Sequence, residues 1–452
     1  MTEKQESGLS RRRLLGGAAA VAGATLGASV LAACGGSKGG SGSKGPVTID
    51  VMLPPSEAPK ELIAAFESAN PGIKVNLLQN DPTRLLAMLA AGSPPDVTRE
   101  NATYSAYYPV RGLATNLDPY LKASSVIKDS DLAQINDLWR WDGKAQGQGP
   151  RYGLTMDYSQ DAMIWANKTI FEQANVPVPS DTTPLSFEEL PVLAKKLTKQ
   201  TADEKTAVFG YGGEVGLVMP QIAHMVAAQG GRLYNEDFTK VDFSSPEALK
   251  AIQYWLDLAR ANVSYGPLRP NPSGWDGNSY KSARIAMFTS GLWYQATLDT
   301  APEVRKASIF LPAPTFAGKR VSPVYYGAGL WIPSKAKHKD EAWRFIEYLV
   351  GGEAGKKRAE AGRGLPSLKS FESSLPQATP EQKQALDVQQ RELENFTVVV
   401  VGTPYLRSAA FANVLKTEFK NALTGNTQAG PVADALNKQI NELIATEKAK
   451  VG

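Results

Sequence analysis

Trp275 and Asp276 stand side by side in the Pro/Gly-rich stretch "NPSGWDGNSY", setting a flat apolar ring next to a hydrogen-bonding carboxylate. On a loop, where a tryptophan is difficult to bury in a core, such a pair suits recognition of a surface that is part apolar and part polar. Residues for group-transfer chemistry are scarce by comparison. The 452 residues include one cysteine, Cys34, and two histidines, His224 and His338. Cys34 falls between an apolar run and a Gly/Ser stretch, where no core could bury it, and no second thiol exists for a disulfide or a Cys/His metal cluster. His224 follows no nucleophile-elbow pattern and His338 sits in a charged "KAKHKDE" turn. We therefore expect no metal, no cofactor and no chemistry that needs a thiol or an imidazole. A formal charge of +4 without long basic runs argues against a nucleic-acid partner.

The elements that must position such residues alternate. "VTIDVML" carries β-branched residues on a two-residue period and reads as a strand. In "SEAPKELIAAFESANPG" the spacing of Leu62, Phe66 and Ala69 gives one helical face, closed by Asn70-Pro71-Gly72. "IKVNLL" is a second strand, and "TRLLAMLAAG" a second helix ahead of a short strand opening at Asp96-Val97. Strand, helix, strand with short links predicts a parallel sheet with right-handed crossovers. Farther on, Ser186 and Glu189 have the spacing of a capping box. Ser245-Pro246 starts a helix with Leu249, Ile252, Leu256 and Ala259 as its buried stripe. Two further helices, about 410–423 and 432–448, close the chain. No composition break marks a boundary after Pro46, so the body reads as α/β throughout.

The N-terminus has a different character. Arg11, Arg12 and Arg13 precede about twenty weakly apolar residues, Leu14 to Ala33, and Gly35 to Gly45 carries no hydrophobic side chain. The paired arginines resemble a twin-arginine export signal over residues 1–33, and Leu31-Ala32-Ala33-Cys34 resembles the bacterial lipobox. That resemblance implies lipid on Cys34, a Gly/Ser tether over 34–46, and a body anchored at the outer face of the cytoplasmic membrane.

A wider resemblance covers the body. "FESANPGIKVNLL", "LAAGSPPDV", "RYGLTMDYSQDAMIWANKTIFEQANV" with "LSFEELPVLAKKL", "AAQGGRLYNEDFTKVDFSSPEALKAIQYWLDLA", "YKSARIAMFTSGLWYQ" and "YYGAGLWIPSKAKHKDEAWRFIEYLVGGEAG" resemble, in that order, extracellular solute-binding proteins of carbohydrate ABC importers, the group that includes maltose-binding protein. The chain departs from the usual pattern at Thr155-Met156, Ala166-Asn167 and Leu185-Ser186-Phe187. The resemblance implies a two-lobed periplasmic-binding-protein fold of type II, with a ligand cleft between lobes joined by three crossovers. These are placed near 158–161, 310–314 and 362–365, giving one lobe of 47–158 plus 312–362 and another of 159–311 plus 363–452.

It further implies a monomer that captures a small carbohydrate and delivers it to an ABC-transporter permease. Aromatic rings would cover the C–H face of a sugar, and polar side chains its hydroxyl edge. On the loops where the motifs place the cleft, the expected ligand-binding residues are Trp293 as the stacking platform, Trp275, Asp276, Asn101, Tyr104, Tyr158, Ser159, Gln160, Glu214, Tyr326, Gly327, Arg363 and Arg407. Two alternatives stay open: another polar solute in the same fold, such as a glycerol-phosphate ester or a polyamine, and a surface-tethered glycoside hydrolase with two carboxylates flanking the bond.

Overall fold

The computed structural model describes residues 45–201, 206–213, 215–216, 218–316 and 318–451. The expected signal segment, Cys34 and Glu214 lie outside the described residues.

Two sheets organise the unit that runs from Pro46 onward. The first has the order Leu365–Pro366, Leu154–Tyr158, Ala328–Trp331, Val97–Asn101, Val47–Met52, Ile73–Leu78. Val47–Met52 is parallel to both of its neighbours, as short strand–helix–strand links require. Ala328–Trp331 arrives from far along the chain and is antiparallel to both of its own. The second sheet has the order Ser308–Leu311, Ile164–Asn167, Ile285–Thr289, Phe209–Gly212.

Helices cover the sheets because their apolar stripes have nowhere else to go. Lys60–Ala69 buries Phe66, whose ring meets Phe345 of Lys339–Gly351 edge-on at 5.0 Å between centroids. Ala69 itself is exposed, at the fraying end before Asn70. On Pro246–Arg260 the buried set is Ala248, Ala251, Ile252, Trp255, Leu256 and Leu258, so Leu249 and Ala259 stand at the stripe's edge rather than its centre. Trp255 is buried within this set and packs edge-on against Tyr254. Capping follows the sequence pattern. Ser186 N–H donates to Glu189 Oε2 (2.8 Å) while Glu189 N–H donates to Ser186 Oγ (3.1 Å), and Ser245 Oγ accepts from Ala248 N–H.

Two chain passages differ from the expected boundaries. Residues after Leu311 stay with the second sheet's core: Thr315 exchanges backbone bonds with Leu185 and Phe187, and Phe316 and Val321 are buried there. The chain returns to the first sheet only between Val321 and Ala328, downstream of the expected 310–314. Leu365–Pro366 pairs with Tyr158 and Asp157, so the first sheet also extends past 362–365. Short apolar motifs mark strands but carry no sign of which sheet they join.

His224 ties the return passage to helix Met219–Ala228. Its Nε2–H donates to the Val321 carbonyl (2.9 Å), which leaves Nδ1 to accept from the Tyr325 hydroxyl at 3.1 Å. Burial holds this imidazole down at about 4. The folded chain therefore binds fewer protons than the unfolded one between that value and ~6.5, and stability is lost as pH falls through this window, by about 3 kcal/mol at most. His224→Gln should be less stable than wild type at pH 7.5, with the gap in Tm narrowing at pH 4.5. A constant gap would show that His224 does not titrate this way.

Candidate functional site

Segments that follow strands of both sheets converge on a cavity of about 810 Å³. From the first sheet come Asn101, at the end of its strand, and Tyr104. Tyr326 lies on the passage back to that sheet. The opposite wall holds Trp275, Asp276 and the inner face of helix Ser408–Thr424, with Phe411, Leu415 and Phe419. A smaller cavity of about 260 Å³ adjoins it, sharing Trp275 and Tyr326 and adding Asp161, Gln221, Ser290 and Trp293.

The two tryptophans lie with ring centroids 6.2 Å apart and planes within 13°. Their geometry has local causes. Trp275 precedes the short helix Asp276–Lys281, and Gly277 leaves room for its indole, which any Cβ there would strike. Trp293 is held by its ring nitrogen, which donates to Asp161 Oδ1 at 3.2 Å. The other oxygen of Asp161 accepts the Tyr325 N–H at 2.9 Å, so one carboxylate joins the first crossover, the return passage and an indole on the cavity wall. Burial pushes the Asp161 carboxyl up to about 7, against the lowering effect of those donors.

Asp276 has both oxygens engaged, Oδ2 by Gly213 N–H (2.9 Å) and Oδ1 by Asn271 Nδ2 (2.7 Å). It braces the loop after Phe209–Gly212 while facing the cavity. The Asn101 Oδ1 accepts from Arg99, whose Nε is shared by both carboxylate oxygens of Glu57 at 3.0 Å. Gly327 has φ +67°, a left-handed conformation that suits glycine, and its carbonyl accepts from Ala102 N–H at 2.8 Å.

Gly327 and the remaining expected site residues among those described lie off both cavities. Gln160 is fully buried in the crossover, donating to the carbonyls of Glu392 (2.7 Å) and Ser322 (3.2 Å) and accepting from Gln389. Its polarity is used up inside this buried passage between the two sheets. Tyr158 is a buried sheet residue, and Ser159 is buried against Gly291. Arg363 is exposed at the end of helix Glu353–Glu360, away from the cavity lining. Arg407 stands beside Glu100, where its charge offsets part of the burial that raises that carboxyl. Sequence reasoning missed Asp161 as more than a crossover landmark, together with Gln221 and Ser290. A signal existed for two of them: Asp161 ends a polar run before the apolar "AMIWA", and Ser290 directly precedes Gly291-Leu292-Trp293.

Among the described residues no group of three or more His, Cys, Asp or Glu side chains could hold a metal, and no helix is long and apolar enough to cross a membrane.

Comparison with known proteins places this geometry. Residues 53–356 match the profile of bacterial extracellular solute-binding proteins. The multiple sugar-binding protein of Streptococcus mutans is 26% identical over 355 residues, 73% of this chain and 77% of that protein. An ABC substrate-binding protein from Listeria monocytogenes, solved in complex with cycloalternan, superposes with a TM-score of 0.74 at 21% identity, covering 89% of this chain and 100% of the other. A solute-binding protein from Thermotoga lettingae, solved with α-D-tagatose, gives a TM-score of 0.70 at 22% identity over 89% of this chain and 100% of that one. The fold is thus the two-lobed α/β fold of these binding proteins.

Proposed function

The chain belongs to the bacterial extracellular solute-binding protein family, and from that premise we propose that it captures a sugar or oligosaccharide in the paired cavities and hands it to an ABC-transporter permease. The observation that carries this reading is the near-parallel pair Trp275 and Trp293 beside the carboxylate of Asp161. Flat rings cover the C–H faces of sugar rings, and the polar groups around them take up hydroxyls. The larger cavity, about 810 Å³, is toward the upper end of the ~300–1,000 Å³ of ordinary ligand pockets, which favours an oligosaccharide over a single ring. The similarity to a multiple sugar-binding protein supports a sugar as the ligand.

The lobes in this reading are 47–158 with 328–375, and 159–327 with 376–451, closing about the crossovers to bury the solute. The protein is exported, held at the membrane by lipid on Cys34, works as a monomer and leaves its ligand chemically intact. A thermal-shift panel of cycloalternan, α-D-tagatose, maltotriose, glycerol 3-phosphate and spermidine tests it. A saccharide present at 100 times its Kd should add about 2.7 kcal/mol of stability. Stabilisation by the phosphate or the polyamine alone would overturn the carbohydrate reading, and catalytic loss of the saccharide would overturn the non-enzymatic one.

A further inference from the structure

The smaller cavity contains polar groups that the fold leaves without partners. Gln221 is buried, its Nε2 donating to the Gly213 carbonyl at 2.9 Å, while its Oε1 has no hydrogen-bond partner among the described residues. Ser290 is buried on the same wall, its backbone N–H donating to Met163, and its Oγ is likewise unpartnered among them. Buried polar atoms of this kind are usually satisfied, so two lining one cavity indicate something that enters and completes them. Asp161 faces the same space, with its two oxygens braced by the Trp293 and Tyr325 donors.

Resting on the carbohydrate reading, we infer that this inner cavity is the specificity pocket, and that it admits one neutral, polyhydroxylated sugar ring while rejecting a uronate. Its volume, about 260 Å³, equals roughly nine waters' share of liquid, too large for a single bridging water and too small for two sugar rings. Trp293 supplies the stacking face. Ser290 Oγ both donates and accepts, and Gln221 Oε1 only accepts, so a ring hydroxyl donating to Gln221 satisfies an atom that a methyl or hydrogen at that carbon would leave bare. A ring carboxylate would instead stand against Asp161, a like charge that the protein has already placed and braced from two sides. The remaining sugar units extend past Trp275 into the larger cavity, which shares that ring.

Calorimetry on the full chain at alkaline pH, where Asp161 is ionised, tests this with matched pairs: glucose and glucuronate, galactose and galacturonate, mannose and mannuronate. The neutral sugar that binds should do so about 10-fold or more tightly than its uronate, and Ser290→Ala and Gln221→Met should each weaken it about 5-fold or more; Ser290→Ala should leave the unliganded Tm little changed, whereas Gln221→Met also strips the Gly213 carbonyl of its donor and should lower it. A uronate binding as tightly as its neutral counterpart overturns the inference, as do two variants with wild-type affinity. The wild-type comparison stands even if a variant fails to fold. Silence from every neutral and acidic sugar, oligomers included, would strike the carbohydrate reading itself.

Discussion

Trp293→Ala is expected to weaken capture of the preferred saccharide by about 30-fold or more, while the unliganded protein melts within a degree or two of wild type. The asymmetry comes from where the ring sits. Trp293 is half-buried, on the margin of the core, and its principal neighbours are Trp275, Tyr294 and the Asp161 carboxylate. Removing it costs the fold little packing. It costs the cavity a platform next to a second ring, and central aromatic anchors of this kind carry at least ~2 kcal/mol of binding. Trp293→Phe keeps a ring but not the indole donor, so it should retain part of the affinity. A normal calorimetric titration for the alanine variant would remove Trp293 from the binding wall.

The second large effect concerns the fold beneath the site. Gly210→Ala should destabilise the protein by about 3 kcal/mol or more in denaturant unfolding. Gly210 lies in strand Phe209–Gly212, and a Cβ there would collide with the backbone of Ala194 on helix Glu189–Leu197. The collision falls on main chain, which no rotamer change relieves. The same approach is stitched by Thr198, whose hydroxyl donates to the Ala194 carbonyl (2.7 Å) and accepts the Gly210 N–H (3.0 Å). Gly430→Ala is the control, since nothing lies within 4 Å of its missing Cβ. It should leave stability unchanged or raise it by up to about 1 kcal/mol. Equal stabilities for the two variants would refute the steric account.

Much of the local structure was legible because single residues dictate it. Asn70-Pro71-Gly72 ends the first helix, Ser186 and Glu189 cap reciprocally, and Ser245 with Pro246 starts the long helix. What the chain could not display is assignment to a distant partner. "SIFLPAPTF" and "YYGAGLW" look alike as strand-bearing stretches, yet Ser308–Leu311 joins the second sheet and Ala328–Trp331 the first. Side-chain chemistry was similarly ambiguous at the site. Gln160 and Gln221 are both polar residues in apolar surroundings, but the crossover consumes the first, while the second lines the inner cavity with its side-chain carbonyl buried and unpartnered among the described residues. Trp275 and Trp293 were visible as rings. Their parallel setting depends on the space left at Gly277 and on Asp161, which stands 132 residues before the indole it holds, beyond the reach of any local pattern.

Strand Ala328–Trp331 lies in the middle of the first sheet, with Leu154–Tyr158 on one side and Val97–Asn101 on the other. During synthesis from the N-terminus, once Arg320 has emerged from the ribosome all four strands of the second sheet are free to pair, whereas the first still lacks Leu365–Pro366 at its edge and the strand that joins its two halves. The nascent chain therefore completes its later-starting sheet earlier, and until Trp331 emerges it carries two bare inner edges that can pair with other unfinished chains.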